Sequence, residues 1–131
     1  MLGIIGGSGF YSAGYAGKIR HLELVTEYGD VAVPIELVET DKPFAFLARH
    51  GKDHHIPPHE INFRANIDAL RQAGVTEIVA INAVGGITEG TDPGAIIIPN
   101  QLIDYTWGRQ STFCGQSKRF VKHVDFSFPF D

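Results

Sequence analysis

Two apolar runs separated by one amphipathic segment constrain this chain more than any other feature. Phe44 to Ala48 is the first run, Thr76 to Asn82 the second, and between them a proline pair precedes a helix-like stretch ending near Gly74. Strand, helix, strand in that order describes a parallel crossover, expected to be right-handed. The helix is expected from Pro58, because proline suits a first turn and Glu60 favours the positive end. Phe63, Ile67 and Leu70 form one stripe, with Ile61, Ala65 and Ala69 beside it. Arg64, Asp68 and Arg71 are spaced for ion pairs of about 0.2–0.5 kcal/mol each. Gly74 is placed to end the helix, and Asn62 and Asn66 share a face from which a loop can be oriented. Ile78 to Ile81 is expected to be buried on both faces.

Earlier in the chain, Met1 to Ile5 reads as a short buried strand running into Gly6-Gly7-Ser8-Gly9. Neither the dinucleotide fingerprint nor a P-loop fits that spacing. The turn reads either as a plain tight turn or as a nest of backbone N–H groups for an anion, with the Ser8 hydroxyl added. Ile19 to Glu39 alternates apolar and polar residues around a break at Tyr28-Gly29-Asp30, predicting two half-exposed strands. Antiparallel strands first and parallel ones later give an α/β fold with a mixed central β-sheet and flanking helices. After Asn82, Ala83-Val84-Gly85-Gly86 makes a second small-residue turn, and Asp92-Pro93-Gly94 a third. Ala95 to Ile98 is expected as a further strand, with another segment at Gln101 to Tyr105.

The chemistry concentrates past the first apolar run. Arg49, His50, Lys52, His54, His55, His59 and Arg64 crowd one stretch of a chain whose formal charge is −4. A local reversal of sign points to a small anionic partner. An Arg-His pair at the end of a parallel strand occupies the usual address of a ligand site in such sheets. Four histidines also suggest a metal, but their H-x3-H-H-x3-H spacing matches no common site, and the one cysteine, Cys114, is remote. A polar surface loop without a function is the plainer alternative. Convergence favours the anion reading: if the sheet is parallel here, the turns at Gly6–Gly9, Arg49-His50 and Asn82–Gly86 share one edge.

The 131 residues are expected to form a single domain over 1–131,, able to bury roughly two-thirds of its unfolded surface. The absence of a basic tract argues against nucleic acid, and no apolar run reaches the length of a membrane span. A single cysteine and no secretory pattern suggest the cytoplasm,.

Five segments, IIGGSGF, FLARHGKDHHIPPHEINFRANIDALRQAG, INAVGGI, PNQLIDYTWGR and HVDFSFPFD, resemble in this order the methylthioadenosine branch of the purine nucleoside phosphorylases. The resemblance covers nearly the whole chain. It implies a nucleoside phosphorylase-like fold and phosphorolysis of a 5′-methylthio purine nucleoside, for purine salvage. The products would be a free base and 5-methylthioribose 1-phosphate. Asn82 stands where adenine-preferring members would carry a hydroxyl residue, and Gly85-Gly86-Ile87 where they would carry Gly-Ser-Leu. The inosine form of the substrate is therefore expected ahead of the adenosine form.

Carried over by position, Ser8, Arg49, His50, Asn82 and Ala83 would hold phosphate, and Ala83, Val84 and Gly85 would lie against the nucleoside. His123 would reach a neighbouring subunit's sugar pocket in a homotrimer. Inorganic phosphate is the implied co-substrate, with no metal, no organic cofactor and no side-chain nucleophile; Cys114 is a bystander. Family members are about twice this long, so the chain is expected to be an N-terminal half, inactive or a poor catalyst alone. Two other readings stand beside this one: a non-catalytic phosphate- or nucleotide-binding module, and a histidine-loop metal protein.

Overall fold

The computed structural model describes residues 1–7, 17–115 and 121–130. Two compact units divide the chain, Met1–Ala83 and Val84–Asp131.

The first unit is a mixed five-stranded sheet with one helix packed against it. Its strands are β1 (Leu2–Gly6), β2 (Lys18–Thr26), β3 (Gly29–Glu39), β4 (Phe44–Ala48) and β5 (Glu77–Ala80), and the helix α1 spans Phe63–Gln72. The spatial order is β2-β3-β4-β1-β5. β1 runs parallel to both β4 and β5, pairing Leu2 with Phe44 and with Glu77, while β2–β3 and β3–β4 are antiparallel. The crossover through α1 thus passes over β1, which lies between the two strands it connects. This insertion puts the carboxyl ends of β4, β1 and β5 side by side.

The core follows the period-two pattern of the strands. Val33, Ile35 and Leu37 of β3 and Ala45 and Leu47 of β4 form one cluster with Ala65, Ala69 and Leu70 of α1. Val38 of β3 and Phe46 of β4, which point away from that cluster, are buried too, so β4 is covered on both faces,. Asp68 is buried on α1 but accepts from Arg71 Nε at 2.9 Å and Gln72 Nε2 at 2.9 Å. That pairing offsets the cost of removing a carboxylate from water. The same Gln72 amide donates to the Val25 carbonyl at 3.2 Å and ties α1 to the end of β2.

Helix α1 starts five residues later than Pro58. Asn62 captures the N-terminus, its Oδ1 accepting from Ala65 N–H at 3.0 Å, and residues 57–60 instead close a turn, Glu60 N–H to Pro57 O at 3.0 Å. Glu60 pairs with His59 and no acidic residue occupies the first helical turn. An asparagine cap outcompetes proline here because its side chain satisfies an orphan N–H group, whereas Pro58 only supplies a compatible φ. Asn62 also donates to the Tyr28 carbonyl at 2.7 Å, so it does orient a loop, the β2–β3 turn. At the other end Gly74, at φ +85°, completes a Schellman closure: Gly74 N–H to Arg71 O and Val75 N–H to Leu70 O, both 3.0 Å,.

β5 departs from expectation. All four of its residues are exposed, Ile78 to 43% and Val79 to 48%. An apolar run reads as buried on both faces, but β5 is the edge strand, and α1 packs across β2, β3 and β4 instead.

The second unit holds no helix or extended strand among its described residues. Ala95 to Ile98 is not a strand; Ile96 and Ile98 are 94% and 90% exposed, and neither that segment nor Gln101 to Tyr105 has a pairing partner there. β-branched composition favours a strand only where a neighbour supplies a ladder. Side-chain turns hold the unit locally. Thr106 donates to Asp104 through its hydroxyl at 2.7 Å and its N–H at 2.8 Å, and Ser127 N–H donates to Asp125 at 2.9 Å. These bonds hold both carboxyls below the usual carboxylate range. Asp92-Pro93-Gly94 is a turn, closed by Ala95 N–H to Asp92 O at 2.9 Å with Gly94 at φ +94°.

Candidate active site

Backbone ladders bring the three chain ends together before any side chain takes part. Arg49 N–H donates to Gly6 O at 3.2 Å, and Ile81 N–H donates to Ile5 O at 2.9 Å. The segments after β4, β1 and β5 therefore leave the sheet at one rim. This is the edge where sheets with parallel strands place ligands.

Arg49 is half-buried at that rim and bridges all three segments. Its Nη1 donates to the Ile81 carbonyl at 2.7 Å, and its Nε donates to His50 Nε2 at 3.3 Å. Its Nη2 rests so closely on Gly7 that a Cβ there would lie 2.7 Å from it. Two of the five guanidinium N–H groups are thus engaged within the described residues, leaving three to offer an anion,. Past Ile81, Asn82 and Ala83 emerge exposed at the same rim.

The loop after Arg49 folds back on itself. Gly51, at φ +76°, turns the chain, its N–H donating to Ala48 O at 2.9 Å, and His54 N–H returns to Gly51 O at 3.1 Å. A Cβ at Gly51 would meet the His55 ring at 2.6 Å, so any side chain there would displace that ring as well as strain the backbone. Ile56 N–H donates to His50 O at 2.9 Å, and the Ile56 carbonyl lies 2.9 Å from His50 Nδ1. His54 stacks its ring 4.8 Å from that of His50 in a tilted arrangement. Among the described residues no three His, Cys, Asp or Glu side chains converge as a metal site would need.

Of the residues singled out from sequence, Arg49, His50, Asn82 and Ala83 stand in the first unit. Arg49 and His50 are in direct contact, and Arg49 touches the residue before Asn82. Ser8 lies outside the described residues; its neighbour Gly7 supports the guanidinium. Val84, Gly85 and His123 belong to the second unit, where each is exposed. Cys114 is a half-buried free thiol.

Sequence reasoning missed Gly7 as the surface under Arg49, together with the carbonyls of Ile81 and Ile56. The glycine doublet was a signal for the first. Nothing in a side-chain alphabet announces which backbone carbonyl will accept.

The whole chain, residues 1–131, matches the model of the phosphorylase superfamily. A probable S-methyl-5′-thioinosine phosphorylase of Xanthomonas campestris pv. campestris is 47% identical over 130 residues, covering 98% of this chain and 52% of that protein. The 6-oxopurine nucleoside phosphorylase of Pyrococcus furiosus is 44% identical over 134 residues, covering 98% of this chain and 50% of that protein. Among solved structures, methylthioadenosine phosphorylase from Schistosoma mansoni in complex with adenine superposes with a TM-score of 0.87 at 39% identity, covering 98% of this chain and 48% of that one. The chain spans about half the length of the relatives it matches. With the match running from its first residue to its last, and a mixed sheet shared with those structures, the chain belongs to the phosphorylase superfamily.

Proposed function

We propose that the rim at β1, β4 and β5 binds inorganic phosphate, and that the whole protein uses it for phosphorolysis of a 5′-methylthio purine nucleoside. The observation that carries this reading is the Arg49 guanidinium, held across Gly7 and Ile81 with N–H groups to spare. A planar fork matches phosphate bidentately where a lysine would not. Ser8, Arg49, His50, Asn82 and Ala83 form the cradle; Ala83, Val84 and Gly85 lie against the nucleoside, and His123 serves a neighbouring subunit of a homotrimer.

In the reaction, a phosphate oxygen forms a bond to C1′ as the bond from C1′ to the purine nitrogen breaks. The sugar passes through an oxocarbenium-like state, and the bonding electrons leave with the base, which takes up a proton. Orienting two bound reactants lowers such a barrier by about 7–11 kcal/mol at best. The phosphate charge stabilises the cationic sugar most in the transition state. A side-chain nucleophile and a metal or organic cofactor are unnecessary in this scheme. The 6-oxo nucleoside S-methyl-5′-thioinosine is favoured over S-methyl-5′-thioadenosine. Asn82 and Gly85-Gly86-Ile87 support that preference, as do relatives named for the inosine form at 47% identity and for the adenosine form at 43%.

Calorimetric titration of the chain with phosphate, with and without Arg49→Ala, tests the anion site. A marked loss of affinity in the variant is expected, and no binding by the wild type would refute the proposal. Base release from each nucleoside, measured with and without phosphate, tests the chemistry on the whole protein. Phosphate binding without turnover would instead identify a non-catalytic phosphate-binding module.

A further inference from the structure

We infer that His50 acts through Arg49: it is a neutral imidazole that aims the guanidinium at the anion and does not itself grip it. The inference rests on the phosphate site proposed above and assigns one of its residues a different task. The hydrogen-bond chemistry determines the protonation pattern. The Ile56 carbonyl can only accept, so the Nδ1 atom 2.9 Å from it carries the ring proton,. In a neutral ring Nε2 is then a lone pair. Arg49 Nε can only donate, and it faces that lone pair at 3.3 Å. Donor and acceptor match at every step of a relay running from Ile56 O through His50 and Arg49 to Ile81 O.

Each end of the relay is anchored in backbone. Ile56 is fixed by its own N–H bond to His50 O at 2.9 Å, and Ile81 by its bond to Ile5 O at 2.9 Å. Without an acceptor beside Nε, the Ile81 carbonyl and the Gly7 surface alone would restrain the guanidinium among the described residues. With it, the planar group is held along two edges and its remaining N–H groups keep one direction.

The relay predicts a pH dependence of unusual sign. A second ring proton would set an Nε2–H against the Arg49 Nε–H, two donors and two positive charges 3.3 Å apart. Arg49 would swing away and anion affinity would fall. An imidazolium binding the anion directly would raise affinity instead. Among the described residues in contact with His50, the charged or titratable ones are Arg49 and His54, both from its own segment. Gly6 and Gly7 at the end of β1, and Ile81 and Asn82 past β5, contribute none.

Three measurements test this on the 131-residue chain. Sulfate affinity is measured from about pH 8 to about pH 5, the range in which histidine titrates, because sulfate keeps its charge throughout. A fall of about tenfold is expected, persisting in His54→Gln. Phosphate affinity is then compared in Arg49→Ala, His50→Ala and the double variant. His50→Ala should cost tenfold or more in the wild type and less than about twofold once Arg49 is absent, while His50→Gln, which keeps an acceptor for Nε, should retain most affinity. Finally, the 15N spectrum of the labelled imidazole should show the proton on Nδ1. Affinity that rises in acid, an equal cost in both backgrounds, or a proton on Nε2 would each overturn the inference. If the wild type binds neither anion, the proposed phosphate site fails, while the tautomer still decides whether the relay exists.

Discussion

Replacing Gly7 by alanine sets a methyl group where the Arg49 guanidinium now rests. The added Cβ would lie 2.7 Å from Nη2 and 3.3 Å from Cζ, against an ordinary contact distance beginning at 3.4 Å, so Nη2 must retreat by about 0.7 Å. Gly7 is not among the positive-φ glycines, and its obstacle is the far end of a flexible side chain, so the fold should lose less than about 1 kcal/mol. The site should lose more. A retreat of that size stretches the 2.7 Å bond from Nη1 to Ile81 O to its limit and turns the fork away from its present direction. A hydrogen bond to a charged group contributes about 1.5–3 kcal/mol, and about 1.4 kcal/mol is a factor of ten. Phosphate affinity should therefore fall by about tenfold to a hundredfold at nearly constant melting temperature. Titration calorimetry and a thermal melt on the same sample provide the assay. A variant that binds phosphate like the wild type would refute the reasoning, because Gly7 would then not position Arg49 for the anion.

Three further outcomes follow from the scaffold. Asn62→Ala removes both the helix cap and the bond to Tyr28 O, and should destabilise the first unit by about 1–3 kcal/mol in urea unfolding,. Gly74→Ala meets no atom within 4 Å but must adopt φ +85°, so about 1–2 kcal/mol is expected from backbone strain alone,. Asp104 is held below the usual carboxylate range by the Thr106 hydroxyl, then by the Thr106 N–H and Arg109; Asp125 is lowered by the Ser127 N–H and then its hydroxyl. Lowered carboxylates contribute stability that is complete above the ordinary carboxylate pKa and lost as pH falls through the lowered value. The Thr106 and Ser127 amide resonances should hence stay constant from neutral pH down to about pH 5 and shift only in stronger acid. Thr106→Ala should move the Asp104 transition upward.

The relation between chain and structure differs by element. The strands Leu2–Gly6 and Phe44–Ala48 were legible as short apolar runs, and the break between the two antiparallel strands as an interruption of alternating apolar and polar residues, because both patterns are local,. The closing glycine at Gly74 was legible for the same kind of reason, since left-handed backbone favours one residue type. The helix start was displaced because a cap depends on which side chain reaches an N–H group, and Asn62 does so while also holding Tyr28. The exposure of β5 was illegible because composition reports what a strand is made of, not whether something covers it.

The candidate site divides the same way. Arg49, His50 and the glycine doublet could be picked out by residue type and by their place after apolar runs, since donors at the ends of parallel strands are a repeated solution for anions. That these positions meet was settled only by the sheet order, in which β1 inserts between β4 and β5. Strand order is a long-range choice, made by which edges pair, and no local pattern encodes it. The proton on His50 lies furthest from the sequence: it depends on a carbonyl six residues away and on a guanidinium held from across the sheet. Residue identity determined what chemistry the chain could offer; backbone acceptors, placed by tertiary structure, decided which donors face the rim.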